Sequence, residues 1–200
     1  DIDIAIANQF ALICEKLGAN AREAIRIANT HPRVKILNPG CGVGGTCIPK
    51  DPLLLQAVCL KKGIKISLIK AARELNDGMP AYFVNKTISL MKTLHKDTCG
   101  KKALILGLAY KGNVSDKRYS PAKPIINELK KNGLIVLAYD PFVNDFEGVE
   151  ILGDPNSTPF KFHLVVLVTD HDLFKGIDAG YLKKITEKDA VIADGRGMFD

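Results

Sequence analysis

The hydrophobic pattern of the chain changes near Asp97–Gly100, and this change constrains the fold more than any other feature of the sequence. Before it, apolar side chains recur every three or four residues, as they do in amphipathic helices. After it, short runs of valine, isoleucine and leucine alternate with a helical segment, which is typical of a parallel, doubly wound sheet. We therefore predict an α/β protein in which an all-helical domain over residues 1–98 precedes a Rossmann-like, doubly wound parallel sheet domain over residues 99–200.

The first half shows helical patterns over residues 1–18, 20–31 and 66–95, and periodicity also resumes at Leu53. The apolar face of the longest helix is predicted to carry Ile69, Ala72, Leu75, Met79, Phe83, Leu90 and Leu94. Between the second and third patterns lies HPRVKILNPGCGVGGTCIPKD, which holds four glycines and three prolines in 21 residues. A long loop inside a compact domain is usually functional.

The second half contains four apolar runs that we predict to be strands: ALILGLAY, LIVLAYDP, HLVVLVTD and AVIADGRG. Between the first two runs, SPAKPIINELKKNG predicts a helix with Ser120 as its N-cap and Gly133 as its stop signal. Because parallel strands end at one edge of a sheet, the polar turns after these runs are expected to lie together.

The composition narrows the class of partner. The net charge is +6, and the excess lies in residues 1–100, with 14 basic and 8 acidic side chains, which indicates either an anionic partner or a lysine-rich solvated surface. With 6% aromatic residues and no nucleic-acid motif, nucleic acid is not expected. The apolar runs are too short to span a membrane, and no signal peptide is recognisable. Five cysteines without a Cys-x-x-Cys pair argue against disulfides or a metal site, so a cytoplasmic protein is predicted.

The segment Gly40–Asp51, GCGVGGTCIPKD, is the strongest candidate for a catalytic site. Its four glycines let the backbone approach a ligand closely and direct N–H groups toward an anion. A thiol follows at Cys47, and Lys50 three residues later favours the nucleophilic thiolate form. Asp51 could act as a base, position a water molecule or simply cap the next helix. Cys41, in the same loop, is a rival nucleophile by composition.

Three basic side chains follow predicted strands of the second half: Lys111, Arg118 and Arg196. Ligands of open parallel sheets bind at the carboxyl ends of the strands, so these residues could bind an anion. The alternative is that they are solvated charges in loops. Gly107 lies in the first of these turns, but GxGxxG is absent, so ordinary dinucleotide binding by this domain is not predicted.

Two motifs together resemble the nucleotide-sugar 6-dehydrogenases, the family of UDP-glucose, GDP-mannose and UDP-N-acetylmannosamine dehydrogenases. GCGVGGTCIPKD at 40–51 is similar to the family's GxGxGGxCxPxD, and GLAYK at 107–111 with DKRYSPA at 116–122 is similar to GLAYKxxxxDxRxSPA. The resemblance covers the whole chain, and ANQFALICEKLG and IRIANTHPRVKILNPG look most like the UDP-N-acetylmannosamine branch. Thr46 departs from the histidine common before the cysteine in that branch, so UDP-glucose and UDP-N-acetylglucosamine remain alternative substrates.

The resemblance implies roles for individual residues. Cys47 would be the nucleophile, and Asp51 the carboxylate that activates or polarises water. The cofactor NAD would be contacted by Cys47, Ile48, Pro49, Lys50 and Arg118. The UDP-sugar would be contacted by Asn38, Pro39, Gly40, Cys41, Gly42, Val43, Gly44, Tyr110, Lys111 and Arg196, and by Arg33 from the neighbouring subunit of a homodimer.

The resemblance also implies the reaction. The C6 alcohol of the sugar would be oxidised to a carboxylate with two NAD+, through a thiohemiacetal and then a thioester on Cys47. The family's N-terminal Rossmann domain and its catalytic lysine and asparagine have no counterpart here. The chain therefore resembles the central dimerisation helices and the UDP-sugar-binding domain of a longer NAD-dependent enzyme, and alone it is expected to be inactive. The alternative hypothesis is a non-catalytic module for nucleotide binding or dimerisation.

Overall fold

The computed structural model describes residues 1–95 and 97–199. The chain separates into two compact units, Asp1–Met79 and Pro80–Asp200. None of the helices in the described ranges has both the length and the hydropathy needed to cross a bilayer. The domain boundary between residues 98 and 99 stays a prediction.

The first unit is helical. Its elements are α1 (Ile2–Lys16), α2 (Ala21–Ala28), α3 (Asp51–Lys61) and the beginning of α4 (Ser67–His95). The chain leaves α1 at Gly18, whose φ of +69° is the left-handed conformation that often ends helices. The helices predicted over residues 1–18 and 66–95 are therefore confirmed, with slightly different ends.

Helix α2 is shorter than the predicted segment 20–31, and one side chain explains where it stops. Asn29 Nδ2 donates to the Ile36 carbonyl at 2.8 Å, and Asn29 Oδ1 accepts the Ile36 N–H at 2.7 Å. The side chain thus pairs with the returning backbone as a neighbouring strand would, and it turns the chain into the long loop. This loop contains neither helix nor strand from residue 29 to residue 50, as the glycines and prolines predicted.

The predicted apolar face of α4 is only partly buried in its second half. Met79 is buried as expected, but Leu90 and Leu94 are 50% and 51% exposed. The buried side chains there include Ile88 and Met91, which follow one another at the three-residue step of a helix. Leu90 and Leu94 lie on an adjacent ridge of the helix, so part of the predicted apolar face is exposed.

The second unit is built on a parallel sheet. Within residues 80–95 and 97–199 the strands are β1 (Lys102–Leu106), β2 (Ile135–Tyr139), β3 (Glu150–Ile151), β4 (Phe162–Leu167) and β5 (Thr186–Asp194), with helices α5 (Ala122–Lys131) and α6 (Ala179–Ile185). The strand order is β3-β2-β1-β4-β5, and every pairing is parallel. The predicted parallel α/β arrangement is confirmed for this unit. The two-residue strand β3 and helix α6 were not predicted.

The order of the strands determines where a ligand can bind. The chain runs from β1 outward to β2 and β3, and then crosses to β4 on the other side of β1. Such a change of direction opens a crevice at the carboxyl ends of the two central strands. The loops that follow β1 and β4 meet at this edge, and both strands are held by a buried apolar core that includes Leu104, Leu106, Val165, Leu167 and Phe174.

Candidate active site

The glycine segment 40–51 is enclosed along most of its backbone and opens to solvent at its end. Gly45 is buried with a φ of +88°, a left-handed conformation in which a side chain would be strained. Cys41 is 1% exposed, whereas Cys47 is exposed. The thiol of Cys47 is therefore accessible, and the thiol of its rival Cys41 is enclosed.

Two buried amide side chains hold the start of this segment. The Gly40 N–H donates to Asn8 Oδ1 at 2.9 Å, and Asn8 Nδ2 donates to Asn76 Oδ1 at 2.9 Å. Asn8 and Asn76 are each 1% exposed. The sequence analysis missed both residues. The signal that could have found them is an asparagine on the buried face of a helix, because buried polar groups are almost always hydrogen-bonded.

The other predicted substrate residues of this unit are partly enclosed and partly exposed. The Pro39 carbonyl accepts a hydrogen bond from Arg22 Nη2 at 3.3 Å, and Pro39 is buried. Arg33 and Asn38 are exposed, and the Arg33 N–H donates to His31 Nδ1 at 3.3 Å. Among the remaining members, Gly42 and Gly44 are buried, and Gly40 and Val43 are half-buried.

One helical turn links Cys47 to Asp51. The Cys47 carbonyl accepts the N–H groups of Lys50 at 3.1 Å and of Asp51 at 2.8 Å, so the thiol comes directly before α3. Lys50 occupies the N-cap position, and Asp51 lies in the first turn, where the helix dipole favours a carboxylate. Asp51 is therefore not the cap. Asp51, Lys50 and Ile48 are exposed and Pro49 is half-buried, which leaves this turn open to a ligand.

In the second unit, the loop of residues 107–113 presents Tyr110 and Lys111 at the carboxyl edge of the sheet. Gly107 has a φ of +92°, and a Cβ added there would lie 2.3 Å from Thr169 Cβ. A Cβ at Gly112 would lie 2.3 Å from the Asp170 carbonyl oxygen. The loop is therefore pressed directly against the segment that follows β4. Lys111 is exposed, with its Nζ 5.7 Å from the ring centroid of the half-buried Tyr110.

Arg196 lies at the same edge. Its Nε donates to the Val168 carbonyl at 2.7 Å, and the next residue, Thr169, donates through Oγ1 to the Ala109 carbonyl at 2.6 Å. The carboxylate of Asp194 accepts the Arg196 N–H at 2.8 Å and thereby fixes the turn after β5. Arg196 and the loop with Tyr110 and Lys111 thus flank one short segment, as the sequence predicted for the carboxyl edge.

Arg118 is paired with a carboxylate. Its Nε and Nη2 donate to Asp116 Oδ1 and Oδ2 at 3.0 and 2.6 Å, and its backbone N–H also donates to Oδ1. These side-chain and backbone hydrogen bonds, with the charges of Arg118 and Lys111, lower the pKa of Asp116 to about 2. The Asp116 carbonyl accepts the Tyr110 N–H at 3.0 Å, so the pair adjoins the Tyr110–Lys111 loop.

Asp140 and His171 lie buried behind this loop, and the sequence analysis assigned neither a role. Asp140 Oδ2 accepts the Leu108 N–H at 2.6 Å and lies 2.9 Å from His171 Nε2. Burial alone would raise the pKa of Asp140, but the hydrogen bonds from His171 and from the N–H groups of Leu108 and Phe142 lower it to about 2. Asp140 thus remains an ionised acceptor in the interior.

The contacts of Asp140 also show whether the turn after β1 could bind a dinucleotide. In a dinucleotide-binding domain, N–H groups after the first strand face the cofactor pyrophosphate. Here the N–H groups of Leu108 and Ala109 donate inward to Asp140 Oδ2, at 2.6 and 3.1 Å. They are already used by the protein itself, in agreement with the missing glycine motif.

Both halves of the chain match models of one protein family. Residues 1–78 match the central domain of the UDP-glucose/GDP-mannose dehydrogenase family, and residues 104–200 match its UDP-binding domain. These ranges include the glycine segment with Cys47 and the carboxyl edge with Lys111 and Arg196.

Individual relatives agree. A curated UDP-N-acetyl-D-mannosamine dehydrogenase from Methanococcus maripaludis is 45% identical over 188 residues, which is 94% of this chain and 42% of the relative. The solved UDP-D-ManNAc dehydrogenase of Pyrococcus horikoshii is 35% identical with a TM-score of 0.85, over 100% of this chain and 46% of the other. The solved NDP-N-acetyl-D-galactosaminuronic acid dehydrogenase of Methanosarcina mazei Go1 is 30% identical with a TM-score of 0.91. The match covers 100% of this chain and 44% of the other.

The chain spans less than half the length of these relatives. Within that span, the match extends over both units and includes the glycine segment 40–51 and the residues at the carboxyl edge of the sheet. On this basis the chain belongs to the UDP-glucose/GDP-mannose dehydrogenase family.

Proposed function

We propose that the chain is the C-terminal part of an NAD-dependent enzyme that oxidises UDP-N-acetyl-D-mannosamine to UDP-N-acetyl-D-mannosaminuronate. Relatives named for activity on UDP-N-acetyl-D-mannosamine, with 40% to 45% identity, support this substrate. The observation that carries the proposal is the accessible thiol of Cys47 at the end of an enclosed glycine segment, one helical turn before the exposed carboxylate of Asp51.

The proposed chemistry explains why a thiol is needed. After the first oxidation the sugar C6 is an aldehyde, and a second hydride can leave only from a tetrahedral adduct. The Cys47 thiolate adds to the aldehyde carbon and forms a thiohemiacetal, whose oxidation leaves a thioester. Asp51 positions and activates the water that hydrolyses the thioester to the acid and releases the thiol. NAD+, when bound, supplies the hydride acceptor in both oxidations.

The residues of the two units fit the nicotinamide part of the cofactor NAD but not its pyrophosphate. The turn formed by Cys47, Ile48, Pro49 and Lys50 is open to solvent along one side and can lie against a nicotinamide ring. Arg118 is a donor for the remainder of the cofactor. The inward-facing N–H groups after β1 do not fit a pyrophosphate, so we expect the cofactor pyrophosphate to bind to a part of the enzyme outside these residues.

Two sets of residues are proposed to contact the UDP-sugar. The Asn38–Gly44 backbone cradles the sugar, and Tyr110, Lys111 and Arg196 bind the nucleotide, since two cations can match a diphosphate. Arg33 is proposed to reach the substrate of a second subunit. A homodimer is supported by exposed apolar side chains of the first unit, 39% to 59% exposed: Ile6, Phe10, Ile13, Leu53, Leu54 and Val58. Sedimentation should show a dimer at micromolar concentration, and a monomer would contradict this part of the proposal.

The decisive variant is Cys47→Ser in the complete enzyme. We expect acid formation to fall by at least about a thousandfold, because the nucleophile is lost, while UDP binding stays within about twofold of wild type. Cys99→Ser is the matched control, because Cys99 is also an exposed thiol but lies in the second unit. Acid formation by Cys47→Ser at the wild-type rate would refute the proposed mechanism.

A second substrate is favoured by one specific observation. The Methanosarcina mazei relative has the higher TM-score of the two solved structures, and its name refers to an N-acetyl-D-galactosaminuronic acid. UDP-N-acetylglucosamine and UDP-glucose also remain candidates because of Thr46. UDP-N-acetyl-D-galactosamine is the further candidate, because its oxidation at C6 would give an N-acetyl-D-galactosaminuronic acid. Comparing kcat/KM of the complete enzyme for UDP-N-acetyl-D-mannosamine, UDP-N-acetyl-D-galactosamine, UDP-N-acetylglucosamine and UDP-glucose separates the candidates. A complete polypeptide that binds UDP but oxidises none of them would instead favour the non-catalytic module.

A further inference from the structure

The loop of residues 107–113 is held at both ends by one buried pair of side chains. At its start, Asp140 Oδ2 accepts the N–H groups of Leu108 and Ala109. At its end, His171 Nδ1 accepts the Asn113 N–H at 2.9 Å. His171 Nε2 and Asp140 Oδ2 lie 2.9 Å apart, so a continuous chain of hydrogen bonds joins the two ends through the interior.

This arrangement fixes the tautomer of His171. Because Nδ1 accepts the Asn113 N–H, the ring proton must be on Nε2, from which it is donated to Asp140. The ring is fully buried and lies between two aromatic rings, with centroid distances of 5.1 Å to Phe142 and 5.3 Å to Phe174. It therefore has little freedom to rotate away from this position.

The end of the loop also shows backbone strain. Asn113 has a φ of +60°, which is uncommon for a residue other than glycine and persists only where the surroundings fix it. Besides the bond to His171, Asn113 Nδ2 donates to Asp172 Oδ2 at 2.7 Å, and its Oδ1 accepts the Asp172 N–H at 2.9 Å. Asn113 is thus tied to the segment after β4 by three hydrogen bonds, two residues beyond Lys111.

We propose that Asp140 and His171 are positioning residues for nucleotide binding: they clamp both ends of the 107–113 loop and so hold Tyr110 and Lys111 in their binding conformation. The inference rests on the proposed function, because it takes Lys111 as a contact to the UDP group. A loop that is ordered before the ligand arrives loses less conformational entropy on binding, so the clamp raises affinity without touching the nucleotide.

The test is calorimetric titration of the chain with UDP. Lys111→Ala removes the direct contact, and Asp140→Asn weakens the clamp at the start of the loop. His171→Gln can direct its amide NH2 toward Asp140 but has no acceptor at the position of Nδ1, to which the Asn113 N–H donates. We expect the Kd to rise about tenfold for Asp140→Asn and about threefold for His171→Gln, measured where each variant is folded.

Thr98→Val is the matched control. Thr98 is 4% exposed, and its Oγ1 donates to the Asn132 carbonyl at 2.8 Å beside the amino ends of β1 and β2. This variant also loses a buried hydrogen bond of the second unit, but we expect an unchanged Kd. Equal loss of affinity in Thr98→Val and in the clamp variants would overturn the inference, since a general loss of stability would then explain all three.

Two measurements on the unaltered chain keep the inference testable if a clamp variant does not fold. Nitrogen NMR should report the neutral Nε2–H tautomer of His171, and the Asn113 amide should exchange as slowly as the amides of β1. Another tautomer or fast exchange of Asn113 would refute the clamp. Failure of the proposed function looks different: the wild-type chain would not bind UDP, or Lys111→Ala would bind it equally well. Wild-type binding that is weakened by Lys111→Ala but by neither clamp variant would refute the clamp alone.

Discussion

The glycine segment 40–51 and the loop 107–113 serve the same proposed purpose but are held in different ways. The start of the glycine segment is fixed by Asn8, a neutral amide that is in turn held by another amide on α4. The second loop is fixed by Asp140, an ionised carboxylate that accepts N–H groups from the ends of both β1 and β2. The difference shows that one chain can contain buried anchors that respond to acid and buried anchors that do not, since only Asp140 can take up a proton.

The largest loss of stability is expected when a methyl group is added at Gly107. The left-handed φ and the 2.3 Å approach to Thr169 Cβ should together destabilise the second unit by about 4 kcal/mol in Gly107→Ala. Gly18→Ala is the control, because Gly18 has a similar φ of +69° but nothing within 4 Å of an added Cβ, and should cost about 1 kcal/mol. Urea denaturation gives the free energy of unfolding of each variant. Equal losses in the two variants would show that the close packing at Gly107 does not contribute to stability.

The amide anchor of the first unit is tested by Asn8→Ala. The substitution leaves the Gly40 N–H and the Asn76 side chain without a shared partner in the interior, so we expect a loss of about 3 kcal/mol. Asn85→Ala, at an exposed position of α4, should change stability by less than about 0.5 kcal/mol. Thermal unfolding followed by circular dichroism gives both values. If the two variants melt together, Asn8 is not an anchor.

Lowering the pH should weaken the Asp140 anchor but not the Asn8 anchor. The pKa of Asp140 is lowered from 3.8 to about 2 in the folded unit, so the stability it contributes is complete above about pH 5 and is lost as the pH falls through 2. The loss is on the order of 2 kcal/mol. Amide exchange should therefore show protection at Leu108 falling between pH 5 and pH 2 more than protection at Gly40. In Asp140→Asn this difference should disappear, and its persistence would mean that another group titrates.

The sequence was sufficient for the features that depend on local pattern. Each of the four runs predicted as strands overlaps one observed strand, β1, β2, β4 or β5, because buried parallel strands are nearly continuous apolar segments. Only β2 lies wholly within its run, and β5 begins four residues before its run. The long loop followed from its glycines and prolines, and Lys111 and Arg196 were expected at one sheet edge because parallel strands end there. Strand β3 was not predicted, because its two residues are too few to show an alternation of apolar and polar side chains.

The anchors could not be predicted because their partners are far away in the chain. Asn8 meets Asn76 across 68 residues, and Asp140 meets His171 across 31, so neither pairing leaves a local signal. In the sequence, Asp140 is followed by a proline, a pair that indicates only a turn after the strand. Leu90 and Leu94 show another limit of local pattern, since a regular apolar spacing does not specify which ridge of a helix is buried. The roles of Cys47 and Asp51 stay predictions, supported by accessibility and spacing.

The pairing of Arg118 with Asp116 has a consequence for how anions approach the carboxyl edge. The ion pair of Arg118 and Asp116 has no net charge, so its field falls off with distance faster than that of a single charge. Lys111 is exposed, so it is the better source of long-range attraction. An arriving phosphate would thus be steered by Lys111 at a rate that falls with added salt, while Arg118 would contribute directional hydrogen bonds only after contact.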